Sequence, residues 1–305
     1  MYKIILFYKY THIENPEALL KEQKALCQKL NLKGRGIIAS EGINATFEGL
    51  EENIIKYIEE LKPDERLKDI HFKISEGTGN AFPKLSIKVR NEIVAGRLGA
   101  DDIDPSQMTG KYLQAEELHE WINSNKKFFI VDMRNDFEQR VGYFENSILP
   151  GFASFADLPK SLEVLKDLKN ETIVTVCTGG VRCEKASGFL VKYGFKNVYQ
   201  LYGGIVTYME KYPGEDFKGS LYVFDNRLVM GFNMDDPQRE VVGRCVKCNA
   251  PSENYINCSD DFCHRHFIAC LKCLDGKDEQ SFSSNKMLCP MGCRDYSSEH
   301  PEAFA

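Results

Sequence analysis

The stretch IVTVCTGGVRCEKA (173–186) places one cysteine, Cys177, where an apolar strand ends and a glycine-rich turn opens a helix. In an open α/β sheet that strand edge is where ligands bind. Thr178, Gly179 and Gly180 let the backbone curl so that successive N–H groups point inward as a nest. Val181 stays in the loop; the helix that follows, 183–193, carries partial positive charge at its N-terminal end, and Arg182 adds a full one. All of these favour a thiolate, so Cys177 is expected to titrate well below the ordinary thiol value of roughly 8.5. The loop suits an attacking thiol, a persulfide or a bound anion. It also has the length that wraps a phosphate, and spacing alone leaves that choice open. Cys183, in the first turn of the helix, reads either as a resolving thiol for an oxidised Cys177 or as a buried filler; the buried reading is preferred.

A second set of thiols has a different pattern. Eight of the eleven cysteines lie between residues 245 and 293, as four close pairs: Cys245/Cys248, Cys258/Cys263, Cys270/Cys273 and Cys289/Cys293. Closely spaced thiolates can turn toward one tetrahedral ion, so four pairs supply two complete four-sulfur sites, for which structural zinc is the natural occupant. Adjacent pairs would give Cys245/248/258/263 with Cys270/273/289/293. Interleaved pairs would give Cys245/248/270/273 with Cys258/263/289/293, and this arrangement is preferred because Cys-x2-Cys knuckles often partner each other. Full cysteine ligation leaves no open position, so the role is structural. His264 and His266 are not needed as ligands and are expected to face solvent or RNA beside Arg265.

The elements that must position these residues follow from periodicity. Residues 1–95 read as βαββαββ, with strands at 3–10, 34–40, 44–49, 71–75 and 85–94 and helices at 15–30 and 50–61. The second helix places Leu50, Ile54, Ile55, Ile58 and Leu61 on one face. This order suits a ferredoxin-like α+β domain with both helices on one sheet face. Residues 96–112, rich in Gly and Asp, read as a linker. Over 113–213, apolar strands (128–132, 171–177, 197–201) alternate with helices (115–123, 158–168, 183–193 and one ending near 211). That pattern predicts a three-layer α/β domain with a parallel sheet. Residues 214–293 form an extension, with a short hairpin or strand at 220–230 and too few apolar residues to build a core, which again favours metal. Residues 294–305 read as a disordered tail.

The formal net charge is -6, yet residues 1–100 hold 16 basic against 14 acidic residues and the remainder 23 against 31. A nucleic-acid site must therefore be a local basic patch. Arg35, Lys84, Lys88 and Arg90, with Lys33 and Arg97, are the candidates; the alternative is that the lysines merely solubilise the surface. Phe7, Tyr8 and Tyr10 are candidate stacking residues, though a strand so rich in aromatics is more often core. The sequence shows no secretory signal and no apolar run long enough to span a bilayer, so a cytoplasmic protein is expected. The cysteine clustering fits a reducing compartment.

The loop from Cys177 to Arg182, with VDMRND (131–136) and GFKNVYQLYGG (194–204), resembles the rhodanese domain. That resemblance implies that Asp132 and Arg134 brace the active loop. With GRGIIASEGIN (34–44), YPGEDFKGSLYVFDNR (212–227) and the cysteine-rich end, the whole chain over residues 1–293 is similar to the rhodanese-domain tRNA uridine hydroxylases. The family implies oxygen-dependent conversion of the wobble uridine to 5-hydroxyuridine, with Cys177 as essential residue and Arg182 beside it. It also implies dioxygen as co-substrate, a reductant the sequence does not name, the anticodon region of tRNA as partner and no stable protein partner. No organic cofactor site is evident. One departure is Tyr143, where the family pattern has a histidine. Two other readings compete: a thiosulfate or persulfide sulfurtransferase, which the middle domain alone would support, and a zinc-stabilised RNA-binding scaffold, which would need neither Cys177 nor Arg182.

Overall fold

The computed structural model describes residues 1–260, 263, 265–274 and 289; Cys293, His264 and the tail at 294–305 lie outside the described residues. The N-terminal unit runs β1 (Tyr2–Tyr10), α1 (Pro16–Lys29), β2 (Lys33–Ala39), β3 (Gly42–Leu50), α2 (Glu51–Leu61), β4 (Lys73–Gly77) and β5 (Leu85–Val89). Its sheet has the order β4-β1-β3-β2-β5, antiparallel except for the β2–β5 pair. Asn15 caps α1 by accepting from Ala18 N at 3.0 Å, and Pro16 supplies the preset φ of a first helical residue. Alternation along β1 divides the strand: Ile5 and Phe7 enter the core beneath α1 and α2, while Leu6 and Tyr8 point to the opposite face. Phe7, Phe47 and Tyr57 are fully buried with ring centroids 5.5–6.0 Å apart, and truncating one such ring costs about 3–5 kcal/mol. The buried stripe of α2 is Ile54, Tyr57 and Leu61. Leu50 and Ile55, expected on that face, are 40% and 49% exposed: Leu50 ends β3 with extended backbone before the helix begins, and Ile55 lies about 100° round the helix from Ile54.

The middle domain comprises β6 (Lys111–Leu113), α3 (Ala115–Ile122), β7 (Phe129–Asp132), α4 (Asp136–Gln139), β8 (Gly142–Phe144), α5 (Ser161–Val164), β9 (Thr172–Val176), α6 (Val181–Lys192), β10 (Asn197–Leu201) and α7 (Gly204–Lys211). Its four-stranded sheet, in the order β6-β10-β9-β7, is wholly parallel and carries a buried apolar cluster on each face. The helix expected over 158–168 is instead α5 flanked by short 3-10 turns at Phe155–Lys160 and Lys166–Leu168, with Pro159 removing an N–H from the run. Residues 96–112 are not a loose tether. Asp102 pairs with Lys185 at 2.9 Å, Gly110 N donates to Ser187 Oγ at 2.8 Å, and β6 starts at Lys111, so the segment is strapped across α6.

Beyond α7, β11 (Phe217–Gly219) pairs with β8, and β12 (Leu221–Tyr222) with β13 (Val229–Met230) as the expected hairpin. The turn of that hairpin reaches the N-terminal unit. Asn226 Nδ2 donates to Asn80 O at 2.9 Å, and Arg227 Nη1 donates to Glu76 O at 3.0 Å. β14 (Tyr255–Asn257), β15 (His266–Ile268) and α8 (Leu271–Leu274) complete the described elements. Among the described residues no helix is long and apolar enough to cross a membrane.

Candidate active site

Cys177 follows β9 directly and is fully buried. The turn after it is set by Gly180, whose φ of 101° lies where glycine is favoured, and whose N–H donates to Cys177 Sγ at 3.3 Å. The N-terminus of α7 approaches from the other side: Ile205 N donates to Cys177 O at 2.9 Å and Val206 N to Thr178 O at 3.1 Å. Those bonds turn the loop carbonyls outward and leave the amides facing the sulfur. Gly204 permits this approach, since a Cβ there would sit 2.7 Å from Cys177 O, Gly179 C and Gly180 N. Burial opposes the Cys177 thiolate. Against it act a hydrogen bond from the Cys183 side chain, the Arg182 charge and the amides of Cys183 and Gly180, which together bring the thiol down to about 6. Cys183 is itself buried and, by burial and its bond to Cys177, pushed well up.

Arg182 is not a free cation. Its guanidinium forms a two-pronged pair with buried Glu138, Nη1 to Oε1 and Nη2 to Oε2 (the latter at 2.8 Å), and Nη2 also reaches Thr178 Oγ1 at 3.2 Å. Glu138 is held by the amide of Asn135 at 3.0 Å and by its contact with Thr178 at 3.2 Å. Burial raises its carboxyl, and the charges of Arg182 and Arg134 more than offset that, leaving it lowered. Behind it, Arg134 and Asp132 are both fully buried and paired, with Arg134 Nη2 also donating to Gly142 O at 2.7 Å and Nη1 to Glu138 O at 3.4 Å. Asp132 and Arg134 thus contact the loop through Glu138. Nothing in the spacing singled out Glu138; its one signal, the Asn135-x-x-Glu138 capping box, explains only its bond to the helix start.

The loop faces a cleft of about 850 Å³ between the N-terminal sheet, the middle domain and the β12–β13 turn. The outward face of β1 forms part of its wall: Leu6 lies over Gly179, and Tyr8 over Gly180 with its hydroxyl donating to Glu184 Oε1 at 2.9 Å. Tyr10 donates to Val181 O at 3.3 Å. Only Phe7 of the three aromatics is core. Five basic residues border the cleft (Arg35, Lys73, Arg97, Arg182 and Arg227) against the carboxylates Asp157 and Asp225, of which Asp225 is tied to Arg227 at 2.7 Å. Phe224, 40% exposed, lies 5.3 Å from the Arg35 guanidinium and 5.9 Å from that of Arg182. Of the six candidate RNA contacts, Arg35 and Arg97 border this cleft; Lys33, at the start of β2, and Lys84, Lys88 and Arg90, just before, on and just after edge strand β5, are exposed elsewhere. Lys73 was not expected from the sequence.

The sulfurs of Cys245, Cys248, Cys270 and Cys273 lie within 4.8 Å of one another, as do those of Cys258, Cys263 and Cys289. Cys248 Sγ is 3.5 Å from Cys270 Sγ, and Cys263 Sγ is 3.6 Å from Cys289 Sγ. Burial opposes ionisation of Cys245, but amides of Cys270, Cys248 and Lys247 outweigh it and hold the thiol at about 6. Four sulfurs at these separations fit a tetrahedral metal site with no position left for substrate. His266 is not turned to solvent: it stacks on Tyr255 at 4.6 Å, and its Nε2 lies 3.3 Å from the Tyr222 hydroxyl.

Residues 2–93 match the UPF0176 acylphosphatase like domain, 114–211 the rhodanese-like domain, and 218–294 the rhodanase C-terminal family. A tRNA uridine(34) hydroxylase of Cytophaga hutchinsonii is 39% identical over 295 residues, covering 97% of this chain and 92% of the relative. One of Staphylococcus haemolyticus is 44% identical over 270 residues, covering 88% and 83%. Among solved structures, a rhodanese-related protein from Thermoplasma volcanium aligns with 33% of this chain and 92% of its own, at 26% identity and a TM-score of 0.29. With this identity running through all three regions, the chain belongs to the tRNA uridine(34) hydroxylase family.

Proposed function

We propose that this protein hydroxylates the wobble uridine of tRNA, forming 5-hydroxyuridine in an oxygen-dependent reaction supplied with electrons by a reductant outside the chain. The observation that carries the reading is the placement of Cys177, a thiol brought down to about 6, in a cleft whose basic side chains outnumber its carboxylates. The protein's net charge is negative, so this is the local patch an RNA partner requires. The cleft volume suits one unstacked nucleotide, and Phe224 offers a ring on which a base can stack. In this reading Cys177 is the reacting thiol. The loop Thr178–Val181 and Arg182 hold its charge, and Asp132, Arg134 and Cys183 support them. Arg35 contacts the anticodon backbone, while Lys84, Lys88 and Arg90 guide the stem along the sheet edge.

The division of labour follows the chain. Residues 1–95 present RNA, 96–112 connect, 113–213 hold the reactive loop, and 214–293 close the cleft and carry the metal-binding end. We assign one structural zinc to Cys245, Cys248, Cys270 and Cys273. A second goes to Cys258, Cys263 and Cys289, with Cys293 as fourth ligand. A tRNA substrate places the protein in the cytoplasm.

Nucleoside mass spectrometry tests the reading. In cells lacking the gene, 5-hydroxyuridine and its derivatives are expected to disappear from tRNA, to return with the parent and to stay absent with Cys177→Ala. Unchanged nucleosides in the deletion would remove the hydroxylase assignment and leave sulfur transfer by the same thiolate as the leading account.

A further inference from the structure

Two lysines among the described residues are buried, and their surroundings differ. Lys185, fully buried, is held by Glu41 at 2.8 Å and Asp102 at 2.9 Å, and its ammonium is stabilised. Lys73, 6% exposed, has no carboxylate within ion-pair distance among the described residues. Its Nζ lies 4.6 Å from the centre of the Tyr8 ring. A buried ammonium without a carboxylate is costly to a fold, so a position that keeps one calls for a reason other than stability.

Strand register shows where Lys73 points. It is the cross-strand partner of Leu6, and directly opposed residues of an antiparallel pair project from the same sheet face. Leu6 lies against Gly179 of the Cys177 loop, so Lys73 projects toward that loop too, and it borders the same cleft as Cys177. The charged and titratable groups around it are Cys177 from the loop, Glu184 from α6, Tyr8 from β1 and, two residues along its own chain, His71. Glu184 is already engaged by Tyr8, Tyr112 and Gln200, at 2.9, 3.0 and 3.0 Å. Arg182 is committed to Glu138. Those partners of Glu184 are neutral, so Glu184 and the Cys177 thiolate both act on Lys73, and of the two only Cys177 borders the cleft with it.

We propose that Lys73 is a positioning residue of the Cys177 centre: its ammonium, carried in by the N-terminal sheet, is the second cation that keeps Cys177 ionised, which makes the thiol's reactivity depend on the docking of the N-terminal domain. Burial lowers the ammonium to about 8, and the charges of Cys177 and Glu184 act against that fall, so the lysine remains mostly charged at neutral pH. The proposal holds for whatever substrate the thiol attacks, and its test uses no tRNA.

The test is the thiolate titration of Cys177 in the full chain, read by ultraviolet absorbance as the difference between each protein and its Cys177→Ser counterpart. In Lys73→Met the midpoint is expected to rise by about one pH unit or more, the usual effect of removing a near opposite charge. In Lys73→Arg it should stay within a few tenths of a unit of the parent. Lys73→Met should also melt no lower than the parent, since an apolar side chain replaces an unpaired buried charge. An unmoved midpoint in folded Lys73→Met, or an equal rise in Lys73→Arg, would overturn the proposal. So would a Lys73→Met protein that fails to fold, because Lys73 would then be structural.

Discussion

Cys177 and Cys245 are both brought down to about 6, by different neighbours. Around Cys177 stand one thiol, an arginine and the amides of a tight loop, at the wall of a cleft. Around Cys245 stand three more sulfurs within 4.8 Å. Backbone amides assist both, but a thiolate beside a cation at a cleft wall keeps its lone pairs for a substrate, whereas one grouped with three other sulfurs is organised to share an ion. In the proposed reading that difference separates a reaction centre from a structural staple, although the residue type is the same.

Removing metal probes the staple with the largest expected effect. A strong chelator, or Cys270→Ser, should release metal and unfold the region around β14, β15 and α8, since a structural zinc contributes on the order of 10 kcal/mol to folding such a segment. Metal analysis and limited proteolysis within 243–274 would read this, while the Cys177 titration should not move. If chelation abolished that titration, the two regions would not be independent and the comparison would fail.

Glu138→Gln should have the next largest effect, on the other side of the comparison. It removes the charge that pairs Arg182 inside the protein, and breaking such a pair costs about 3–5 kcal/mol. At about 4–8 °C per kcal/mol for a domain of roughly 100 residues, that corresponds to a fall of roughly 12–40 °C in melting temperature. The metal content should be unchanged. A variant that melts like the parent would show that Arg182 finds another partner, and that the buried network does not hold the loop.

The reactive loop was legible because its parts are local. Cys177, the two glycines and Arg182 sit within six residues, and strand–turn–helix geometry follows from composition. The sulfur groups were legible in kind, because short cysteine spacings restrict how thiols can meet. Contacts between domains were not. In HFKIS, Lys73 alternates with Phe72 and Ile74 as a residue on a wet face would, and no periodicity within one strand shows that another domain covers that face. Tyr8 was set aside for the same reason, as a core aromatic. Segment 96–112 misled through its Gly and Asp content, which reads as a linker but here supplies polar partners to α6. Glu138 lies 44 residues from Arg182 in sequence, and only the fold joins them.

The most direct test of the account is the ultraviolet titration of the parent minus Cys177→Ser. A depressed thiol contributes stability above its unfolded value of roughly 8.5 and loses that contribution as pH falls through its folded value. The account predicts a single thiolate step near pH 6, with the parent's stability advantage over the variant shrinking over the same descent. A step near the ordinary thiol value, or no difference between the two proteins, would contradict it.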